Sequence, residues 1–189
     1  MGIDQKDMRV IFKYFNKFML IMWRLGLDRW LSFWPSGFGQ FMVINHTGRK
    51  SGDLRKTPVN FAEVEGEIYC VAGAGRNSDW YQNMLVNPNV EIWLPYSRWS
   101  GNAEVIPLSR EVLPILRVVL RCSGFAGRLA GIYPDISDDE LLSVCKDYGL
   151  VHIIRQQPRT GKGGPGDLAW VWPLAVMVIL PMICCKKKK

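Results

Sequence analysis

Histidine is scarce in this chain: only His46 and His152 occur in 189 residues. So few imidazoles argue against a His-based metal centre or a Ser-His-Asp triad. The five cysteines (Cys70, Cys122, Cys145, Cys184 and Cys185) are odd in number and lack C-x-x-C spacing. They argue against a disulfide framework and a structural zinc site, and they point to a reducing compartment. There is no GxxxxGKS/T phosphate loop, no zinc-finger or RNA-binding signature, and no uninterrupted apolar leader behind the N-terminus. Gly2 follows Met1, but Lys6 stands where a myristoylation signal prefers Ser or Thr. Four of the positive charges behind the net +7 are Lys186 to Lys189, so the body is only mildly basic and no nucleic-acid partner is expected.

What the chain does have is apolar surface to place. Hydrophobic residues make up 48%, eight residues are Trp, and the mean hydropathy is zero, higher than a purely soluble domain usually shows. Residues 8–34 read as a basic, aromatic-rich amphipathic helix. Lys6, Arg9, Lys13, Lys17 and Arg24 recur at helical spacing, with Phe12, Phe15, Phe18, Met19, Met22, Trp23 and Leu25 between them. Such a helix suits a bilayer interface with anionic lipid, or else packs on its own domain with its cations in water. At the other end, LAWVWPLAVMVILPMICC (168–185) carries no charge and is near the lower length limit for a span. It predicts a membrane anchor, spanning or re-entrant, rather than a buried helix. The Gly/Pro-rich RQQPRTGKGGPGD before it predicts a flexible linker.

The middle of the chain reads as short strands. FMVIN (41–45), TPVNFAEV (57–64), EIYCVA (67–72), VEIWL (90–94), SGNAEVI (100–106) and LVHII (150–154) alternate or are β-branched, with a hairpin at Glu65-Gly66. A short helix capped by Ser78 or Asp79 runs to Asn87-Pro88. Two helices are predicted within 109–147. The first has Pro114 in its first turn; the second opens on a capping box, Ser137 with Glu140, and has Gly149 as its stop. Several short strands with one short helix between them favour a small closed barrel over a parallel α/β sheet. The organisation expected is a membrane-associating helix at 1–35, a barrel domain at 36–155 with a helical insert at 109–147, a linker at 156–167, and a hydrophobic anchor with a Lys tail at 168–189.

Two Gly-rich turns carry the candidate chemistry. In NHTGRKSGDLRKTPVNF, Gly48 and Gly52 permit a sharp bend that exposes amides, and Arg49, Lys50, Arg55 and Lys56 add cations. A phosphate there would gain charge-assisted hydrogen bonds, although a solvated basic hairpin would look the same in sequence. In GAGRNSDWYQN, small residues leave room for a flat ring on the backbone, Arg76 adds a cation, and Trp80 and Tyr81 open a helix whose N-terminus attracts anions. Trp80 reads equally well as a core aromatic.

The string HTGRKSGDLRKTPVNF, a hairpin, then VAGAGRNSDWYQNMLVNPNVEIWL resembles the deazaflavin-dependent nitroreductase family. SGFAGRLAGIYPDISDDELL resembles the C-terminal helices of one branch, so the likeness covers about 12–155. It implies an α+β fold, a small split β-barrel (FMN-binding-like) with flanking helices. It also implies coenzyme F-420, a deazaflavin with a phosphate and a polyglutamate tail. Arg49, Lys50 and Arg55 would hold the phosphate and the acidic tail. Ala72, Gly73, Ala74 and Gly75 would lie against the ring, Arg76, Asn77 and Ser78 would face the phosphate, and Trp80 and Tyr81 would wall the site, with Tyr81 or solvent as proton donor. The chain lacks the His-Pro that many relatives carry before the Trp-Tyr pair, and it lacks the Tyr-rich segment of nitroimidazole-activating members. Many split-barrel relatives are homodimers. The expected function is a membrane-associated oxidoreductase at the cytoplasmic face of the cell membrane. It would pass hydride from reduced F-420 to a lipophilic acceptor such as a quinone or an enone. An FMN-binding barrel and a non-enzymatic lipid or fatty-acid carrier on the same scaffold are the alternatives.

Overall fold

The computed structural model describes residues 5–28, 39–73, 75–95, 97–124 and 133–186. Six antiparallel strands lie between residues 41 and 158: β1 (Phe41–Thr47), β2 (Leu54–Val64), β3 (Glu67–Ala72), β4 (Asn89–Leu94), β5 (Ser97–Ile106) and β6 (Gly149–Pro158). They close into a barrel in the order β1-β2-β3-β6-β5-β4. Alternation decides which side chains enter it. Met42 and Ile44, Val59 and Phe61, Ile68, Cys70 and Ala72, Val90, Ile92 and Leu94, Ala103, and Val151 and Ile153 form one buried cluster. The β2–β3 hairpin turns at Glu65 and Gly66, both with positive φ (54° and 83°), as a two-residue turn between twisted strands requires.

Helices cap and cover this barrel. Between β3 and β4 lies α2 (Asp79–Val86), and its Tyr81 and Met84 join the barrel core. A 3-10 turn at Arg110–Val112 leads into α3 (Leu113–Cys122), which has Pro114 in its first turn, where no amide hydrogen is needed. Val112, Ile115, Val118 and Val119 of this segment pack on the outer-face residues Ala62, Val64, Tyr69, Val71 and Leu150. Next comes α4 (Asp138–Val144), whose N-cap Ser137 accepts a hydrogen bond from the Glu140 amide, as the capping box predicts. Its Leu141, with Cys145, packs on Leu113, Leu116 and Leu120 of α3.

Two expectations need correction. Gly149 does not stop a helix: α4 ends at Val144, and Gly149 is the first residue of β6, paired with Ala72. A Cβ at Gly149 would lie 2.2 Å from the Tyr81 ring, so the glycine is there to admit that ring. The start of the segment read as a linker is strand. Residues 155–158 complete β6, because their pairing with Trp99 and Gly101 extends the β5–β6 ladder beyond the apolar run that marked the strand in sequence.

A second unit comprises residues 1–28 with 161–189. It contains α1 (Gln5–Arg24) and α5 (Val171–Lys186). The Asp167 carboxylate accepts two hydrogen bonds from Arg24 Nε (3.0 and 3.2 Å) and one from Arg24 Nη2 (3.0 Å). Gly166 and Leu168 donate their amides to the carbonyls of Trp23 and Arg24. In α1, Lys13, Tyr14, Lys17, Phe18 and Ile21 are exposed while Met19 and Trp23 are buried. Trp170, just before α5, is exposed, as are Trp172, Leu174, Val176, Met177 and Val178 within it. No described helix is long and apolar enough to cross a membrane. At 1.5 Å per residue the 16 residues of α5 reach about 24 Å, short of a ~30 Å hydrocarbon core. The spanning form of the anchor is therefore not supported.

Candidate functional site

Strand direction brings the two Gly-rich turns together. β1 ends at Thr47 and runs into the 48–53 turn; β2 returns antiparallel, and β3 runs back beside it to end at Ala72. The β1–β2 turn and the β3–α2 connection therefore lie at the same end of the barrel, separated by one strand. At that mouth the inward-facing positions change character. Met42 and Ile44 are followed two residues on by His46, and Phe61 and Val59 are preceded by Thr57 and Arg55. His46 and Arg55 are register partners.

His46 is 2% exposed, yet it is polar. Its Nε2 lies 3.0 Å from Thr57 Oγ1 and its Nδ1 lies 3.2 Å from Asn83 Nδ2. On its other side the Asn83 amide meets the first turn: Oδ1 accepts from the Arg49 amide (3.1 Å) and from Arg49 Nη1 (2.8 Å). Arg49 also forms an ion pair with Asp79 at 3.0 Å. The imidazole pKa is pushed down to about 4, first by burial and then by the positive charge of Arg55, with Asp79 pulling weakly the other way. His46 is thus a neutral ring at physiological pH.

The residues predicted to hold a ligand fall into distinct groups. Arg49 is committed to Asp79 and Asn83, so its charge is largely spent inside the protein. Lys50 and Arg55 are exposed and make no hydrogen bond or ion pair among the described residues. Arg55 lies across Gly48, where a Cβ would stand 2.9 Å from its Nε. Lys56 faces away from the mouth, with its Nζ 4.3 Å from the centre of the Trp93 ring.

In the second turn, Ala72 is buried, and a Cβ on Gly73 would meet nothing within 4 Å. Ala74 lies outside the described residues. Gly75 has φ 86°, a conformation that favours glycine. Several turn amides are already used: Gly73 donates to Val71, Gly75 to Ala72, Arg76 to Asp147 and Ser78 to Gly75. The Arg76 side chain donates from Nε to the Tyr148 carbonyl at 3.3 Å, and Asn77 is exposed. Ser78 occupies the N-cap of α2, but its hydroxyl caps nothing; Ser78 Oγ is buried and has no hydrogen-bond partner among the described residues. The amides of Asp79, Trp80 and Tyr81 also donate to no described residue, leaving the positive end of the α2 dipole uncapped.

Trp80 is half-buried against the barrel core, edge-on to Tyr81 with ring centroids 6.2 Å apart. Tyr81 is only 3% exposed and packs into the notch left by Gly149. It holds α2 on the barrel mouth and presents little surface to a ligand.

His46, Thr57 and Asn83 did not emerge from the sequence as site residues. The signal was available: each strand's inward alternation turns polar at the same end, in M-x-I-x-H on β1 and R-x-T-x-V-x-F on β2.

The mouth therefore combines two uncommitted cations, an unsatisfied hydroxyl, first-turn amides and an open glycine. This donor set fits an anionic group attached to a flat ring. A family model described as F420H(2)-dependent quinone reductase matches residues 35–121, a stretch that contains both turns and all of β1 to β5. Among solved structures, the chain is similar to a conserved hypothetical protein from Mycobacterium tuberculosis. The identity is 19%, over 66% of this chain and 79% of that one, with a TM-score of 0.46. It is similar also to a reductase dependent on reduced F-420, at 19% identity over 61% of this chain and 93% of that one, with a TM-score of 0.43. With both turns inside the matched stretch, residues 35–121 of this chain are similar to the F420H(2)-dependent quinone reductase family.

Proposed function

We propose that the barrel mouth holds the acidic part of F-420, and that the enzyme works on a membrane surface, where it reduces a lipophilic acceptor such as a quinone or an enone. The observation that carries this reading is the meeting of the two turns at one barrel end, joined through Arg49, Asn83 and Asp79. Arg55 and Lys50 offer the phosphate and the acidic tail their uncommitted charge. Ser78 Oγ, the first amides of α2 and the exposed side chain of Asn77 offer neutral polar groups beside it. The backbone of Ala72, Gly73 and Gly75 would lie against the ring, and Trp80 would wall it. Arg49 and Arg76, each already bonded to the protein, would shape the two turns rather than neutralise the ligand. When bound, reduced F-420 supplies the hydride; the chain's own residues hold and orient it.

The acceptor class follows from the second unit. Exposed Tyr14, Phe15, Phe18 and Ile21 stand beside exposed Lys13 and Lys17, and Trp170, Trp172 and Met177 are exposed at and beyond the start of α5. Aromatic and apolar residues next to cations suit the interface of an anionic bilayer, without a span. The proposed location is the cytoplasmic face of the cell membrane.

The test is turnover with a long-tailed and a short-tailed quinone in anionic vesicles, comparing the wild type with a Phe18→Ser/Ile21→Ser double variant. The variant should lose more activity on the long-tailed quinone than on the short one, and should pellet less with vesicles. Equal losses on both, or unchanged pelleting, would count against a membrane-resident acceptor.

A further inference from the structure

We propose that His46 is a positioning residue: its neutral imidazole fixes the orientation of the Asn83 amide, and Asn83 in turn locks the 48–53 turn against α2. The functional consequence rests on the reading that this turn grips the cofactor's acidic part.

The proton arrangement follows from the partners. The Arg49 amide and guanidinium can only donate, so the Asn83 atom facing them must be the oxygen. Asn83 Nδ2 is then the atom facing His46, and it too can only donate. His46 Nδ1 must therefore accept, which puts the ring hydrogen on Nε2, where it is donated to Thr57 Oγ1 at 3.0 Å. The hydrogen bonds that link Thr57, His46, Asn83 and Arg49 are all made in this one arrangement only.

Any other state breaks it. A hydrogen on Nδ1, whether from the other tautomer or from protonation, would face the Asn83 NH2. Rotating the Asn83 amide to relieve that clash would turn its NH2 towards Arg49 and remove both of Arg49's bonds to Oδ1. The charged groups around the ring are Arg55 on β2, Arg49 on the turn and Asp79 on α2. Arg49 and Asp79 neutralise each other, and the burial of the ring together with Arg55 keeps it uncharged. The same Arg55 that is offered to the ligand therefore also helps to hold the clamp in its working protonation state.

Nitrogen-15 NMR of the imidazole, hydrogen exchange at the Arg49 amide and F-420 titration test this on the full chain, in the wild type, His46→Leu, His46→Gln and Thr57→Val. At pH 7 the wild type should show Nδ1 as the unprotonated nitrogen. His46→Leu should speed Arg49 amide exchange by at least tenfold and weaken F-420 binding about tenfold. Gln keeps one acceptor and one donor and has no charge to gain, so His46→Gln should recover most of both. Thr57→Val, which removes only the Nε2–H acceptor, should give a partial effect of about threefold and covers the case in which the Leu variant does not fold. A hydrogen on Nδ1 in the wild type, or wild-type protection of the Arg49 amide in both His46→Leu and Thr57→Val, would overturn the proposal. Wild type that shows the tautomer and the protection yet ignores F-420 would instead overturn the cofactor reading and leave the clamp standing.

Discussion

Arg55→Ala separates ligand binding from folding more cleanly than any other change at the barrel mouth. The side chain is exposed and makes no hydrogen bond or ion pair among the described residues, so its removal should alter stability by no more than about 0.5 kcal/mol. A charge-assisted hydrogen bond to phosphate is worth about 1.5–3 kcal/mol, and exposure to solvent places Arg55 at the lower end. At ~1.4 kcal/mol per decade, F-420 should bind roughly tenfold more weakly. The loss should shrink as salt is raised, because the pair is screened. A second, independent change accompanies it: the positive charge of Arg55 helps to hold the His46 pKa down, so in the variant that pKa should rise. The assays are fluorescence-quenching titration with F-420 at two salt concentrations, a thermal melt, and an NMR titration of His46. A folded Arg55→Ala protein with unchanged F-420 affinity would remove this side chain from the site and refute the reasoning.

Other outcomes can be checked alongside. Gly48→Ala should displace Arg55, since the new Cβ would stand 2.9 Å from its Nε, and so should weaken F-420 binding severalfold while the melt moves little; unchanged affinity would contradict this. Gly149→Ala should destabilise the barrel by about 1–3 kcal/mol or more, because its Cβ would overlap the Tyr81 ring at 2.2 Å, and chemical denaturation measures it. Stability should also depend on pH through His46. Its folded pKa of about 4 lies below the ordinary 6.5, so the unfolded chain binds the extra proton between those values. The contribution is complete above pH 6.5 and is lost as pH falls through 4, amounting to roughly 3 kcal/mol. Denaturation of wild type and His46→Gln across that range should show a smaller slope in the variant.

The barrel itself was legible from alternation and turn chemistry. Glu67–Ala72 has the bounds that its β-branched run suggests, and the Glu65-Gly66 hairpin and the Ser137 cap lie where their residues place them. What was missed depends on contacts distant in sequence. Gly149 looked like a helix stop because the Tyr81 ring that it accommodates is 68 residues away in the chain. The strand end at 155–158 carries no apolar run and exists through its pairing with β5. At the mouth, sequence identified the cations but not their allegiance. Arg49 and Arg55 look alike in the run RKSGDLR, yet one is bound to Asp79 and Asn83 while the other is uncommitted. That difference is set by α2, thirty residues later, which also brings Asn83 to His46.

The central claim is that the two turns at one barrel end grip the acidic handle of F-420. It is tested most directly by titrating the purified chain, side by side, with intact F-420, with its ring-and-ribityl fragment lacking phosphate and glutamates, and with FMN. Intact F-420 should bind at least tenfold more tightly than either of the others. Equal affinity for intact F-420 and the tailless fragment, or preference for FMN, would contradict the account.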